Sequence, residues 1–132
     1  MNDEGARSRV VVEALAAFVE RGAEGLLEHM SDDVIWEDDP AWPDRQVSRG
    51  HAEVRAVLRE RLETTSIEPE LEGLQERGNL VLARFRWTAL GEASGVTTVL
   101  LPAVLFDVSG DQITRIRFFL SHEQGRQEFD AA

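Results

Sequence analysis

Apolar positions recur at helical spacing in the first half of the chain and at alternating spacing in the second, so the pattern predicts helices first and a sheet after. From about Arg7 to Glu20, Val11, Leu15 and Phe18 follow i, i+4, i+7 with Val12 and Val19 beside them, and Gly22 stops the run. A second short helix is expected over 23–29, burying Leu26, Leu27 and Met30. After a short strand around Trp36, Pro40 and Pro43 predict an irregular loop to Arg49. Gly50 then opens a third helix with Val54, Val57, Leu58 and Leu62 on one face. Strands are expected at 67–76 (an edge, given Pro69), 80–90, 95–108 and 112–120, with turns at 77–79, 91–94 and 109–111. Helices followed by a meander of long strands make an α+β fold, with helices packed on one face of a sheet.

The strand from Val96 to Phe106 is apolar on both faces. Val96, Thr98, Leu100, Pro102, Val104 and Phe106 share one, while Val99, Leu101, Ala103 and Leu105 share the other. A solvated outer face does not read this way. Either a second subunit covers the second face, or strong twist moves burial from side to side; the first alternative predicts a homodimer through the sheet. Pro102 lacks an N–H and is expected at a bulge or an unpaired stretch.

The run Ser31-Asp32-Asp33-Val34-Ile35-Trp36-Glu37-Asp38-Asp39-Pro40 carries the candidate chemistry. Period-two alternation places Val34, Trp36 and Asp38 on one face of its strand. If that face is buried, Asp38 is a carboxylate delivered to an apolar interior, where it must be paired, protonated or functional. As a general base it would need its pKa raised toward the working pH. In the structural alternative it is solvated at the strand end or pairs with Arg45 or Arg49. Asp32 and Asp33 read as a turn and a neighbour of the preceding helix end.

Composition narrows the partners. At 132 residues the chain reads as one domain, with residues 1–6 and 130–132 as flexible ends. No apolar run approaches a membrane span and the N-terminus has no signal-peptide pattern, so a cytoplasmic protein away from membranes is expected. The absence of cysteine excludes disulfides, zinc–thiolate sites and a cysteine nucleophile. A net charge of −11 argues against nucleic acid and anionic lipid, and favours a neutral or weakly polar small molecule. There is no Gly-rich phosphate loop, no Gly-x-Ser-x-Gly elbow and no His pair at metal spacing, so neither cofactor nor metal is expected. His29 reads as surface and His51 as a helix-start residue. His122, just after the last strand, could approach a cavity mouth.

Several segments together resemble a known family. The helix with Phe18, then Gly22, Leu26-Leu27, Ser31-Asp32-Asp33, Trp36-Glu37-Asp38 and Arg49-Gly50 resembles the N-terminal half of SnoaL-like domains, in the nuclear-transport-factor-2-like superfamily. The second half agrees in Gly78-Asn79, Ser94-Gly95-Val96, Phe106-Asp107 through Gly110, and Ile113-Thr114-Arg115-Ile116. The resemblance implies a cystatin-like cone, a curved antiparallel or mixed sheet wrapped around N-terminal helices with an apolar pocket inside. Relatives include polyketide cyclases, ketosteroid isomerase, limonene epoxide hydrolase, scytalone dehydratase and binding proteins, so fold does not imply chemistry.

Carried over residue by residue, Asp38 falls where ketosteroid isomerase places its general base. That enzyme also needs a tyrosine and a protonated aspartate. This chain contains no tyrosine, and the two matching positions hold Leu15 and Pro102. The Asp-Arg-Asp triad of limonene epoxide hydrolase is missing, since 84–87 is Arg-Phe-Arg-Trp. The polyketide-cyclase acid meets Phe118 or a neighbour, and the tyrosines of scytalone dehydratase have no counterparts.

What remains is Asp38, with His122 as a distant second catalytic candidate, and an aromatic set: Trp36, Phe85, Trp87 and Phe118 facing inward, Phe18 from the helix and Trp42 at the mouth. These residues are either a hydrophobic core or the lining for a flat apolar ligand. Two functions follow. One is a small-molecule-binding domain without a complete catalytic set. The other is a cofactor-free cyclase, isomerase or dehydratase acting on a hydrophobic ketone or polyketide-like substrate, with Asp38 as acid/base. An enzyme should bring His51, His122, Arg84 or Arg86 to a ligand position shared with Asp38; a binder need not.

Overall fold

The computed structural model describes residues 5–42, 45–91 and 95–132, the side chains of 62–68 and 91 excepted. Helix α1 (Ala6–Arg21) ends at Gly22, whose φ of 69° takes the chain out of the helix while its N–H still bonds the Phe18 carbonyl at 2.7 Å. Helix α2 (Ala23–Leu27) follows at once and packs so closely on α1 that a Cβ at Gly25 would collide with the Ala17 carbonyl. Strand β1 (Met30–Glu37) comes next, followed by the short β2 (Val47–Arg49) and helix α3 (Gly50–Thr64). The remaining strands are β3 (Thr65–Arg77), β4 (Leu80–Gly91), β5 (Thr97–Leu100), β6 (Ala103–Ser109) and β7 (Gln112–Phe119). Helix α4 (His122–Ala131) closes the chain.

The strands form one mixed sheet in the order β2-β1-β7-β6-β4-β3, with β5 also paired to β4. All pairings are antiparallel except β1 with β7. The sheet is curved and open, and α1–α3 sit in its concavity, which is the expected α+β architecture. Pro69 lies on β3, an edge strand, where its missing N–H breaks no ladder. A bulge between Leu71 and Gly73 leaves room for the Arg84 guanidinium over Gly73.

The α1 stripe divides in two. Val10, Val11, Ala14 and Ala17 are buried against the sheet, whereas Val12, Leu15 and Phe18 flank a space left in the concavity. Met30 belongs to β1 rather than to the second helix, and Asp32 and Asp33 are exposed strand residues rather than a turn. The loop after Pro40 contains β2, which the sequence pattern did not indicate. Pro43, the turn residues 92–94 and the Leu62 side chain, all named in the sequence reading, lie outside the described set, as do residues 1–4.

The long strand expected over 95–108 is two strands. β5 ends at Leu100, β6 begins at Ala103, and Pro102 sits between them, its carbonyl accepting the Phe85 N–H at 2.9 Å. The Ala103 and Leu105 part of its second apolar face is covered from within the chain, whereas Val99 and Leu101 are exposed. Helix α4 lays Phe129 against Leu82, Ala103, Leu105 and Phe119, with Gly125 seated over Ala103. Ser121 caps this helix by accepting the Gln124 N–H at 3.2 Å. At the far end Arg77 stacks on the Phe129 ring and donates to the Phe129 and Ala132 carbonyls. Residues 130–132, expected as a loose end, are therefore helix and anchored terminus.

Candidate functional site

Inside the concavity lies a cavity of about 480 Å³ between α1, α3 and the sheet. Its lining draws on Phe85, Trp87 and Ala89 of β4, Val104 and Phe106 of β6, and Ile116 and Phe118 of β7. The alternation of each strand puts these residues on one face. Trp36 of β1 and Leu26 of α2 add to the wall, and α3 contributes Leu58 and Arg61. Half-exposed Val12, Leu71, Leu100 and Leu120 border it where it meets solvent.

All six aromatic residues singled out in the sequence contribute to this wall: Phe18, Trp36, Trp42, Phe85, Trp87 and Phe118. Four of them form a connected set. Phe118 meets Trp42 edge-on with ring centroids 5.9 Å apart, and Trp87 lies 5.3 Å from Phe118 and 6.2 Å from Phe85. All three tryptophans of the chain border this one space. The indole N–H of Trp87 is buried without a hydrogen-bond partner, a donor left unmet beside this wall.

Asp38 stands beside the cavity with a fully buried side chain. One oxygen accepts the Trp36 indole N–H at 3.1 Å; the other accepts the Gln46 backbone N–H at 3.0 Å and an Arg61 N–H at 2.6 Å. Burial pushes this carboxyl up. The Arg61 bond, the Gln46 N–H, the Arg61 charge and the Trp36 N–H outweigh that push and hold it below the ordinary carboxylate value. Asp38 is thus an ionised, fully engaged group, contrary to the raised pKa that a general base would need. Its cation comes from α3, not from Arg45 or Arg49 in the adjoining loop, and both of those residues are exposed.

Arg61 is the functional candidate that the sequence reading missed. It borders the cavity, pairs with Asp38 and stacks over Trp42 with its guanidinium carbon 5.1 Å from the ring centroid. Its signal was present: Val54, Leu58 and Arg61 are spaced i, i+4, i+7, so a charge continues an otherwise buried stripe.

The other candidates lie elsewhere. His122, the second catalytic candidate, is not part of the lining; its Nε2 bonds the Phe85 carbonyl at 2.8 Å and ties α4 to β4. His51 bonds the Met30 carbonyl at 3.1 Å. Arg84 lies over Gly73, and Arg86 is exposed. None of the four joins Asp38 at the cavity. Asp39 is buried and structural, accepting the Ala41 and Leu120 N–H groups at 2.8 Å and the Gln124 side-chain amide at 3.2 Å. Among the described residues no three His, Asp or Glu side chains gather as a metal would require, and no helix is long and apolar enough to cross a membrane.

A curved mixed sheet closed over N-terminal helices, with an apolar space between them, defines a nuclear-transport-factor-2-like α+β domain. Residues 11–116 match the SnoaL-like domain family, and the chain belongs to that family. No curated protein shows significant sequence similarity to it. Among solved structures it is similar to an NTF2-like protein from Burkholderia xenovorans (23% identity, TM-score 0.72, covering 92% of this chain and 93% of that one). It is also similar to a putative polyketide cyclase from Xanthomonas campestris (18% identity, TM-score 0.79, 98% of each chain). A third is TerC, co-crystallised with polyporic acid (17% identity, TM-score 0.77, 94% of this chain and 98% of that one). At these identities the likeness shows the fold.

Proposed function

We propose that this SnoaL-like domain binds a flat hydrophobic small molecule in its central cavity. The observation that carries the reading is the wall itself, about 480 Å³ of space bordered by connected aromatic rings and aliphatic side chains, with Arg61 the one charged residue in the described lining. A space this apolar gives most of its affinity to carbon surface removed from water. TerC, of the same fold, was crystallised with polyporic acid, which supports an aromatic ligand class without assigning that molecule here.

Asp38 enters the proposal as a positioning residue. Three donors and a depressed pKa suit it to holding Arg61 and Trp36 in place rather than to taking a proton from a substrate. The enzyme reading, with Asp38 as acid/base, gains no converging histidine or second acid among the described residues. A dimer through the sheet would use the β5 end, where Leu90 and Val99 are exposed on the face away from the cavity and Leu101 follows.

A thermal-shift panel of neutral bicyclic and tricyclic hydrocarbons and ketones tests the binding reading. A ligand at 100 times its Kd adds about 2.7 kcal/mol, and for a domain of this length that raises the midpoint by roughly 5–10 °C. A panel without any shift contradicts the proposal.

A further inference from the structure

We infer that Trp87 is the specificity-determining residue of the cavity, its indole N–H turning onto a neutral oxygen acceptor carried by an otherwise hydrophobic ligand. The inference rests on the binding reading above and deepens it.

The two indoles that the sheet brings to the cavity differ. Trp36 donates its N–H to Asp38 at 3.1 Å, whereas the Trp87 N–H is buried from water and meets no acceptor. The strand pattern accounts for the difference. Trp87 stands opposite Pro69 on β3 and Leu100 on β5, and its own strand brings Phe85 and Ala89 to the same face. None of these side chains carries an acceptor. A buried donor without a partner is costly, and here neither protein nor water relieves it.

Nothing polar holds the ring in its present orientation. Its contacts with Phe85 and Phe118 are tilted by 54° and 40°, so they rest on shape and dispersion. The residue is half-buried and borders the cavity of about 480 Å³. A ligand that brings an oxygen to this wall supplies the acceptor that the neighbouring side chains lack. Rotation about the side-chain torsions then aligns the N–H with that oxygen.

The donor also decides which oxygen is accepted. One uncharged indole N–H does not restore the hydration that a carboxylate loses on entering an apolar space. The cation of the described lining, Arg61, is already paired with Asp38 at 2.6 Å and stacked over Trp42. A ketone or quinone oxygen loses far less hydration and is matched by a single N–H. A pure hydrocarbon leaves the donor unmet.

The test titrates tetralin and 1-tetralone by calorimetry into the wild type, Trp87→Phe and Phe118→Leu. Trp87→Phe removes the donor with part of the wall, while Phe118→Leu removes part of the same wall and no donor. The ratio of the two affinities therefore separates a lost hydrogen bond from lost carbon contact. The expected tetralone-to-tetralin ratio is about tenfold lower in Trp87→Phe than in the wild type. In Phe118→Leu both affinities should fall together. Independently of how any variant folds, the Trp87 indole proton of the wild type should move further downfield at saturation with 1-tetralone than with tetralin. A ratio unchanged in Trp87→Phe, a ratio lowered as much in Phe118→Leu, or equal indole shifts with both probes overturns the inference while leaving the binding reading intact. Failure of both probes to bind the wild type overturns both.

Discussion

Asp38 and Asp39 are adjacent carboxylates with no fractional exposure to speak of, yet they do different work. Asp39 ties the loop after β1 to the start of α4 through N–H donors alone, whereas Asp38 takes a cation from α3. The buried face of β1 was legible because alternation places Val34, Trp36 and Asp38 together, and all three are buried. The partner was not legible, because Arg61 lies 23 positions away on another element and pairing at that range is set by tertiary packing. The linkage has a measurable consequence. The folded-state pKa of Asp38 lies below its ordinary value of 3.8, so the stability it contributes is present above that value and is lost as pH falls through the folded pKa. Glu76, whose upward push from burial is outweighed by the Ser8 and Gly5 donors, acts in the same direction from 4.5 downward. Denaturation midpoints from about pH 5 to 2 should therefore fall less steeply for Asp38→Asn than for the wild type. Parallel curves would contradict the role given to the Arg61 pair.

Among the elements, α1, α3 and the β4, β6 and β7 core could be read from period alone, since each carries several apolar residues in phase. Helix α4 could not. Its ten residues contain one large apolar side chain, Phe129, and a mid-helix glycine, so hydrophobic periodicity is silent. The signal it does carry is Ser121 followed three residues on by Gln124, a helix-start pattern. Missing α4 left Ala103 and Leu105 seemingly without a cover and so added to the expectation of a second subunit; Val99 and Leu101, the other half of that face, are exposed. The helix fits because residue 125 is glycine: a Cβ there would stand 2.5 Å from the Ala103 Cβ and 3.3 Å from a Leu82 methyl. Gly125→Leu should lift α4 from the sheet, cost about 3 kcal/mol in urea denaturation, and increase self-association by baring Leu82 and Leu105. A variant with wild-type stability and an unchanged sedimentation profile would show that the α4 contact is not what closes this face.

At the scale of the whole molecule, the helices fill only part of the concavity. The sheet curves around α1 to α3, but Val12, Leu15 and Phe18 of α1 stop short of Phe85, Trp87 and Phe118 across the gap. The family resemblance implied such a space, but whether it stays open could not be read from the residues themselves. An aromatic that fills a core and one that walls a cavity follow the same alternation, and only the spacing between layers separates them. The gap also explains why a chain with an unremarkable apolar fraction of 42% concentrates all three tryptophans at one place. The most direct measurement of the central claim is a two-dimensional ¹⁵N–¹H spectrum of the three indole N–H groups during titration with 1-tetralone. Occupation of the cavity predicts that the Trp36, Trp42 and Trp87 signals move together, saturably and with one dissociation constant, while the amides of exposed Glu13 and Arg126 stay in place. Indole signals that remain still up to the solubility limit of the ketone would contradict the account.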